Sequence, residues 1–337
     1  MLGPLRSHAA DTALQRFAFE KAEMGVPFRI TLFAPDVASG KAAADAAFAR
    51  VELLNSILSD YDPDSEVSRL SQSSGQSKVV PVSSVLWRVL EPAQALSERT
   101  NGAFDVTAGP VVSLWRRARR EKALPKPELL REFLARVGFQ KLRLDGGART
   151  AELLVPDMRL DLGGIAKGFA AEEALAVLRL HGSPCALVAA SGDMAAGDPP
   201  PGEAGWRVEV AALDFVGAPA AQVILLKNRA IATSGDVFQR VEVDGRRYSH
   251  VVDPRTGYGI TDHSLVTVVA PDCLTADSLA TAVSVLGPEA GLRLIEQTPR
   301  TAAYIVRKPE EQVEVRKSAA WEKELNVPSD AMPSGGE

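Results

Sequence analysis

The sequence predicts a mixed α/β fold of the α+β kind, and three stretches carry that reading. Residues 17–33 hold two alternating segments, FAFEK and PFRITLF, broken at Met24-Gly25 as in a strand pair. Residues 41–58 place Ala44, Phe48, Val51, Leu54 and Leu58 at steps of three and four, which is an amphipathic helix. Residues 158–171, MRLDLGGIAKGFAA, change character twice. Met158, Leu160 and Leu162 alternate with Arg159 and Asp161 as in a strand, Gly163-Gly164 interrupts, and Ile165, Phe169, Leu175 and Leu178 recur as one helix face.

With 337 residues, 46% of them hydrophobic, the chain is long enough for a large core. We expect a flexible leader over 1–15, one domain over 16–307 and a charged, partly disordered tail over 308–337. A net charge of -5 does not recommend nucleic acid as a partner. The two cysteines, Cys185 and Cys273, make neither a disulfide framework nor a metal cluster, and the four scattered histidines lack zinc spacing. No run of about twenty apolar residues exists, so no transmembrane segment is expected. The amino end lacks the apolar stretch of a secretory signal, which leaves the compartment open.

Beyond the first helix, residues 59–70 (SDYDPDSEVSRL) read as a turn entering a short helix, with Tyr61 as a packing ring or a platform for a flat ligand. Residues 85–100 form a helix stopped by Asn101-Gly102. Phe104 and Asp105, directly after that stop, suit a binding wall or, equally, a buried Phe beside an N-capping Asp. Residues 116–122 carry five positive charges in seven, read as a solvated helix face, with docking of an acidic protein as the other use. A short helix over 129–137 and strand alternation over 142–155 precede the glycine junction.

A strand over 186–188 runs into Ser191-Gly192-Asp193, and residues 198–205 form an exposed loop. Strands follow over 206–210 and 223–226, and 230–232 leads into Thr233-Ser234-Gly235-Asp236. Residues 240–252 form a hairpin around Asp244-Gly245, which favours a type I′ turn and delivers His250 ahead of the turn at 253–257. A strand over 265–269, helices over 275–286 and 289–297 and a closing strand over 302–306 complete the domain.

Three constellations carry chemistry. The junction at 163–167 offers unpaired N–H groups, a positive helix end and the Lys167 ammonium, which suit a phosphate; a purely structural turn is the competing use. It matches neither GxGxxG nor GxxxxGK[ST], and Asp161 points toward the same mouth. Asp277 and Thr281, four apart on one helix face, make with a backbone carbonyl a hard oxygen site for Mg²⁺, unless Asp277 or Thr275 serves as a cap. His250 suits a general base or phosphate contact, with Asp253 to orient the imidazole and Arg255 for an anion, or a structural histidine.

Taken together, Met24-Gly25, YDPDSEVSRL at 61–70, GAFDVTAGP at 102–110, LDLGGIAKGFA at 160–170, AIATSGD at 230–236, YSHVVDPRTG at 248–257 and VVAPDCLTADSLATA at 268–282 resemble the ApbE family of FAD:protein FMN transferases, over roughly residues 17–307. The resemblance implies a T-fold-like architecture, a largely antiparallel sheet packed by helices. It implies transfer of FMN from FAD to a Thr or Ser hydroxyl of a target flavoprotein, with release of AMP. Met24, Tyr61, Ala103, Phe104, Asp105, Asp161 and Lys167 would line the FAD site; the Gly164 carbonyl, Asp277 and Thr281 would hold Mg²⁺; His250 would be the acid/base residue. Hydrolysis of FAD to FMN and AMP, or non-catalytic FAD binding, are the alternatives. The chain departs from the family at Val26, at 189–193 (AASGD) and in the basic run after Trp115. Members are often exported and membrane-anchored, but no signal or lipid-bearing cysteine is visible here.

Overall fold

Met24 and Gly25 both take positive φ, 49° and 75°, as a two-residue turn requires when its twist matches the strands that it joins. They connect β1 (Gln15–Glu23) to β2 (Val26–Ala34), paired from Gln15↔Ala34 to Glu23↔Val26. Asp36 caps α1 (Val37–Leu58) by accepting from Ser39 N at 2.7 Å, so the helix starts earlier than its apolar period. The residues described are 13–210, 222–235, 240–243, 245–309 and 312–324. The first twelve residues of the leader, Asp236, Asp244 and residues 325–337 of the tail, all covered by expectations above, lie outside them.

Ser65 caps α2 (Glu66–Gln72), and a short β3 (Val80–Pro81) precedes α3 (Ser84–Arg99), which Asn101 and Gly102 stop at φ 48° and 76°. Next come α4 (Gly109–Glu121), α5 (Pro127–Leu134), β4 (Leu142–Asp145) and β5 (Thr150–Leu153), the last two forming a small sheet with β3. The glycine junction then opens α6 (Ala166–Leu180), followed by β6 (Ala186–Ala190), β7 (Asp193–Ala196), the pair β8 (Trp206–Val210) and β9 (Gln222–Leu226), and β10 (Arg229–Gly235). The expected hairpin is β11 (Arg240–Val243) and β12 (Arg246–Ser249), with Gly245 at φ 73°. After it run β13 (Ser264–Ala270), α7 (Cys273–Glu296), β14 (Ala302–Arg307), β15 (Glu314–Lys317) and α8 (Ala319–Glu324).

Eight strands make one antiparallel sheet in the order β1-β2-β6-β7-β10-β13-β14-β15. One face carries Ile30, Val188, Ala232, Val268 and Ile305 into a core with α1, α6 and α7. The other face carries Ile231, Leu265, Val269 and Tyr304 against Trp206, Ile224 and Trp321. A third cluster, apart from both, joins Val111, Leu114, Trp115 and Leu130 of α4 and α5 to Val241, Tyr248 and Val252 of the hairpin region.

Two expectations need correction, and one that the merged α7 would hide is met. Residues 158–162 are extended but belong to no sheet: one parallel bridge joins Ala108 to Arg159, and Asp161 N donates to Val106 O at 2.8 Å. Their alternation is nevertheless real, since Met158, Leu160 and Leu162 are buried. Gly287 (φ 76°, ψ 175°) and Pro288 break α7 into the two helices expected. The fold also continues past 307, because β15 pairs with β14 and Trp321 is fully buried, stacked on Tyr304 at 5.3 Å.

Glu173 on α6 ties that helix to α1 through Arg50 and to α3 through Arg88, the latter at 2.7 Å. Burial alone would raise its pKa, yet the bonds from Arg50 and Arg88 hold it below the usual 4.5. The carboxylate therefore stabilises the fold above pH 4.5, and that contribution is lost as pH falls through the lowered value. Glu173→Gln should cost about 1–2 kcal/mol at pH 7. In denaturant titrations the gap from the parent should close as pH falls through that lowered value; a constant gap would refute the ionic tie.

Candidate functional site

The β6–β7 turn, with Ser191 at φ 59°, lies at the same sheet end as the Met24-Gly25 turn, because Phe28 pairs with Ala190. Gly192 O accepts from Thr233 N at 3.1 Å, which brings the end of β10 there too. At this end the Gly163-Gly164 turn starts α6, and α7 runs antiparallel beside it. Neither junction glycine has positive φ; Gly164 is needed for closeness. A Cβ on it would lie 3.0 Å from Thr281 Oγ1. One turn on, a Cβ at Gly168 would lie 2.2 Å from Cys273 O, and Gly168 N donates to Asp277 Oδ2 at 3.0 Å.

These contacts bring together four of the expected residues, Gly164, Lys167, Asp277 and Thr281, and add one that was not on the candidate list. Lys167 Nζ donates to Asp193 Oδ2 at 2.5 Å and lies 4.0 Å from Asp277 Oδ2. Burial would lower the Lys167 pKa, but Asp277 and Asp193 raise it well above the usual lysine value, so it is charged at neutral pH. Burial and the Asp277 charge push Asp193 up to about 7, against the pull of Lys167. Burial likewise raises Asp277, opposed by Lys167 and the Gly168 N–H. Asp193 had a visible signal, an acid ending a glycine turn, but its partner could not be read from the sequence.

Among the described residues no three His, Cys, Asp or Glu side chains converge on a metal position. The fit to Mg²⁺ rests instead on mixed oxygen donors: the Asp277 carboxylate, the Thr281 hydroxyl and the Gly164 backbone. Thr281 Oγ1 is not spent on its own helix, unlike Ser278 Oγ, which donates to Leu274 O at 2.9 Å. The donor set suits a hard cation.

A second grouping forms around a residue expected to be solvated. Arg116, first in the basic run, is partly buried: its NH2 donates to Asp161 Oδ2 at 2.7 Å and its NH1 to Asp60 Oδ2 at 2.5 Å. Its guanidinium lies 4.2 Å from the Tyr61 ring centroid. Asp161 Oδ1 also accepts from Gly163 N at 2.8 Å, which ties this grouping to the junction. Burial and Asp60 raise the Asp161 pKa, with Arg116 pulling it down. The rest of the run meets the expectation in part, for Arg117 is exposed and pairs with Glu121 at i,i+4.

The remaining candidates are dispersed around these groupings. Ala103 and Phe104 are buried, Phe104 in the main core, and their N–H groups donate to Thr100 O and Oγ1 at 3.2 and 3.1 Å. Asp105 does not cap α4, whose N-cap is Ala108. It accepts from Thr107 N and Oγ1 at 2.8 and 2.7 Å, and burial raises its pKa. Met24 is half-buried in its turn and packs on the main core. Half-buried His250 directly follows β12, where Ser249 N donates to Ile260 O and Val251 N to Ser249 Oγ. Asp253, expected to orient the imidazole, instead accepts from Arg255 through both carboxylate oxygens at 2.9 Å. Among the described residues no helix is long and apolar enough to cross a membrane.

Comparison with known proteins places the fold. The profile of the ApbE family matches residues 24–305. The FAD:protein FMN transferase of Haemophilus influenzae is 33% identical over 276 residues, 80% of each chain. Among solved structures, the flavin transferase ApbE from Vibrio cholerae superposes with TM-score 0.82 at 30% identity, covering 92% of this chain and 99% of its own. The apo flavinyl transferase ApbE of Pseudomonas stutzeri gives 0.80 at 30%, covering 92% and 96%. The chain belongs to the ApbE family.

Proposed function

We propose that this protein transfers FMN from FAD to a Thr or Ser hydroxyl of a target protein, with Mg²⁺ bound and AMP released. The observation that carries the reading is the convergence of Gly164, Lys167, Asp277 and Thr281 where α6 and α7 meet. Splitting a diphosphate requires its charge to be balanced, and a protonated buried lysine beside a hard-oxygen donor set supplies that. The relatives' names support flavin transfer as the reaction.

Mg²⁺, when bound, neutralises negative charge on the diphosphate oxygens. Asp277, Thr281 and Gly164 would hold it, and Lys167 adds a fixed positive charge kept in place by Asp193. Tyr61, Asp161, Met24 and residues 103–105 bind the rest of FAD. His250 takes the proton from the acceptor hydroxyl as its oxygen bonds to the FMN phosphorus; the bond to the AMP oxygen breaks and AMP leaves.

The test is incubation with FAD and Mg²⁺, with and without an acceptor domain, following AMP and the acceptor's mass. AMP together with an FMN-sized mass gain is expected, and chelation of Mg²⁺ should stop both. AMP without the gain would point to hydrolysis, and FAD binding without AMP to a binding module. His250→Ala should leave FAD bound while AMP release falls by roughly 10²–10⁴-fold; unaltered turnover would remove His250 from the chemistry.

A further inference from the structure

We propose that Arg116 is a positioning residue of the flavin-nucleotide site, clamping Tyr61 and Asp161 into one wall that stacks a flat heteroaromatic ring and accepts from its N–H. The inference rests on the functional reading above and adds to it a residue from the basic run 116–122. Three segments distant in sequence meet at this one guanidinium: the turn after α1 through Asp60 and Tyr61, α4 through Arg116 itself, and the 158–162 segment through Asp161.

The geometry decides between two roles for such an arginine. It either vacates the site when a ligand enters or stays as the back of the platform. Vacating would strand two carboxylates whose side chains are only 19% and 11% exposed, and breaking a pair of that kind costs more than one stacking contact returns. Staying costs nothing, because the guanidinium covers one face of Tyr61 while that residue remains 75% exposed. The uncovered face is open to a flat ring. Asp161 is held at both ends, Oδ2 by Arg116 and Oδ1 by Gly163 N, so its orientation is fixed before any ligand arrives. Each carboxylate oxygen keeps a second lone pair for a ring N–H. Lysine could not do the same, since a single ammonium does not fork to two carboxylates while lying flat on a ring.

FAD contains two flat heteroaromatic rings, so separate arms of the test use FMN and ADP. Wild type, Arg116→Ala, Arg116→Lys, Tyr61→Leu and the double variant Arg116→Ala/Tyr61→Leu are titrated with FAD by calorimetry, with thermal unfolding recorded for each. Arg116→Ala should weaken FAD binding by about 10-fold or more, and Arg116→Lys should recover only a small part of it. In the Tyr61→Leu background, removing Arg116 should cost less than it does in the wild type, since only its hold on Asp161 is then left to lose. A loss confined to the FMN arm assigns the platform to the isoalloxazine, and one confined to the ADP arm assigns it to adenine. Unchanged or tighter FAD binding by Arg116→Ala overturns the inference, as do fully additive effects in the double variant. Should Arg116→Ala not fold, Arg116→Lys carries the test alone, and wild-type affinity in it overturns the clamp. Failure of the wild type to bind FAD would instead sink the functional reading.

Discussion

Gly168→Ala should be among the most damaging single substitutions in this protein. A methyl group there would sit 2.2 Å from Cys273 O and 2.7 Å from Asp277 Cβ, and the first of these is backbone that cannot rotate away. The only relief is to move α6 and α7 apart, which opens the main core where Phe169, Ala170, Ala276 and Ala280 are buried. Overpacking a core costs about 1–3 kcal/mol, and a clash with fixed backbone belongs at the top of that range or above it. The same shift breaks the Gly168 N–H bond to Asp277 and draws Thr281 away from Gly164. We expect a large fall in melting temperature together with loss of any further rise on adding Mg²⁺. A variant that melts like the parent would mean that the helices are not so closely seated.

Asp277→Asn separates the site from the scaffold. The amide oxygen can still accept from Gly168 N, so the α6–α7 contact survives, but the charge 4.0 Å from Lys167 is gone. Lys167 keeps Asp193 as its partner and remains protonated. Without Mg²⁺ the variant should melt close to the parent, since the charge removed is one that burial already disfavours. With Mg²⁺ the parent should gain stability as RT ln(1 + [Mg²⁺]/Kd), and the variant should gain none. AMP release should fall by roughly 100-fold or more. Near-normal turnover with an intact Mg²⁺ response would place the cation elsewhere.

Much of the fold was legible because its signals are local. The Met24-Gly25 turn, the apolar step of α1, the stop at Asn101-Gly102 and the break at Gly287-Pro288 all follow from what a few neighbouring residues permit. The closeness of Asp277 and Thr281 was legible for the same reason, since the two share a helix face at fixed spacing. Residues 158–162 misled because alternation reports which side chains are buried, not whether the backbone finds a strand partner. Arg116 was hidden by its neighbours: five cations in seven residues look alike, and only the seating of Trp115 against Tyr248 and Tyr258 decides which of them turns inward. Asp253 paired with Arg255 rather than with the histidine because a side chain two residues away reaches it without bending the chain. The end of the domain was placed too early because the 308–324 segment is charged along most of its length, and its hold on the sheet, the β15–β14 pairing and the buried Trp321, leaves little apolar pattern to read.

The extended segment at 158–162 is, in mechanical terms, a seam. Its even-numbered residues enter the main core with α6 and α7, while Arg159 and Asp161 face the α4 side through Ala108, Val106 and Arg116. A sheet strand is gripped along its edges, but this one is gripped alternately from two bodies that bury their apolar residues separately. The lobe of α4, α5 and the β11–β12 hairpin can therefore drift in sequence, altering the surroundings of His250, without disturbing the residues around Lys167 and Asp277. What the lobe cannot change freely is its stitching: Gly109, whose Cβ would lie 2.5 Å from Arg159 O, and Arg116.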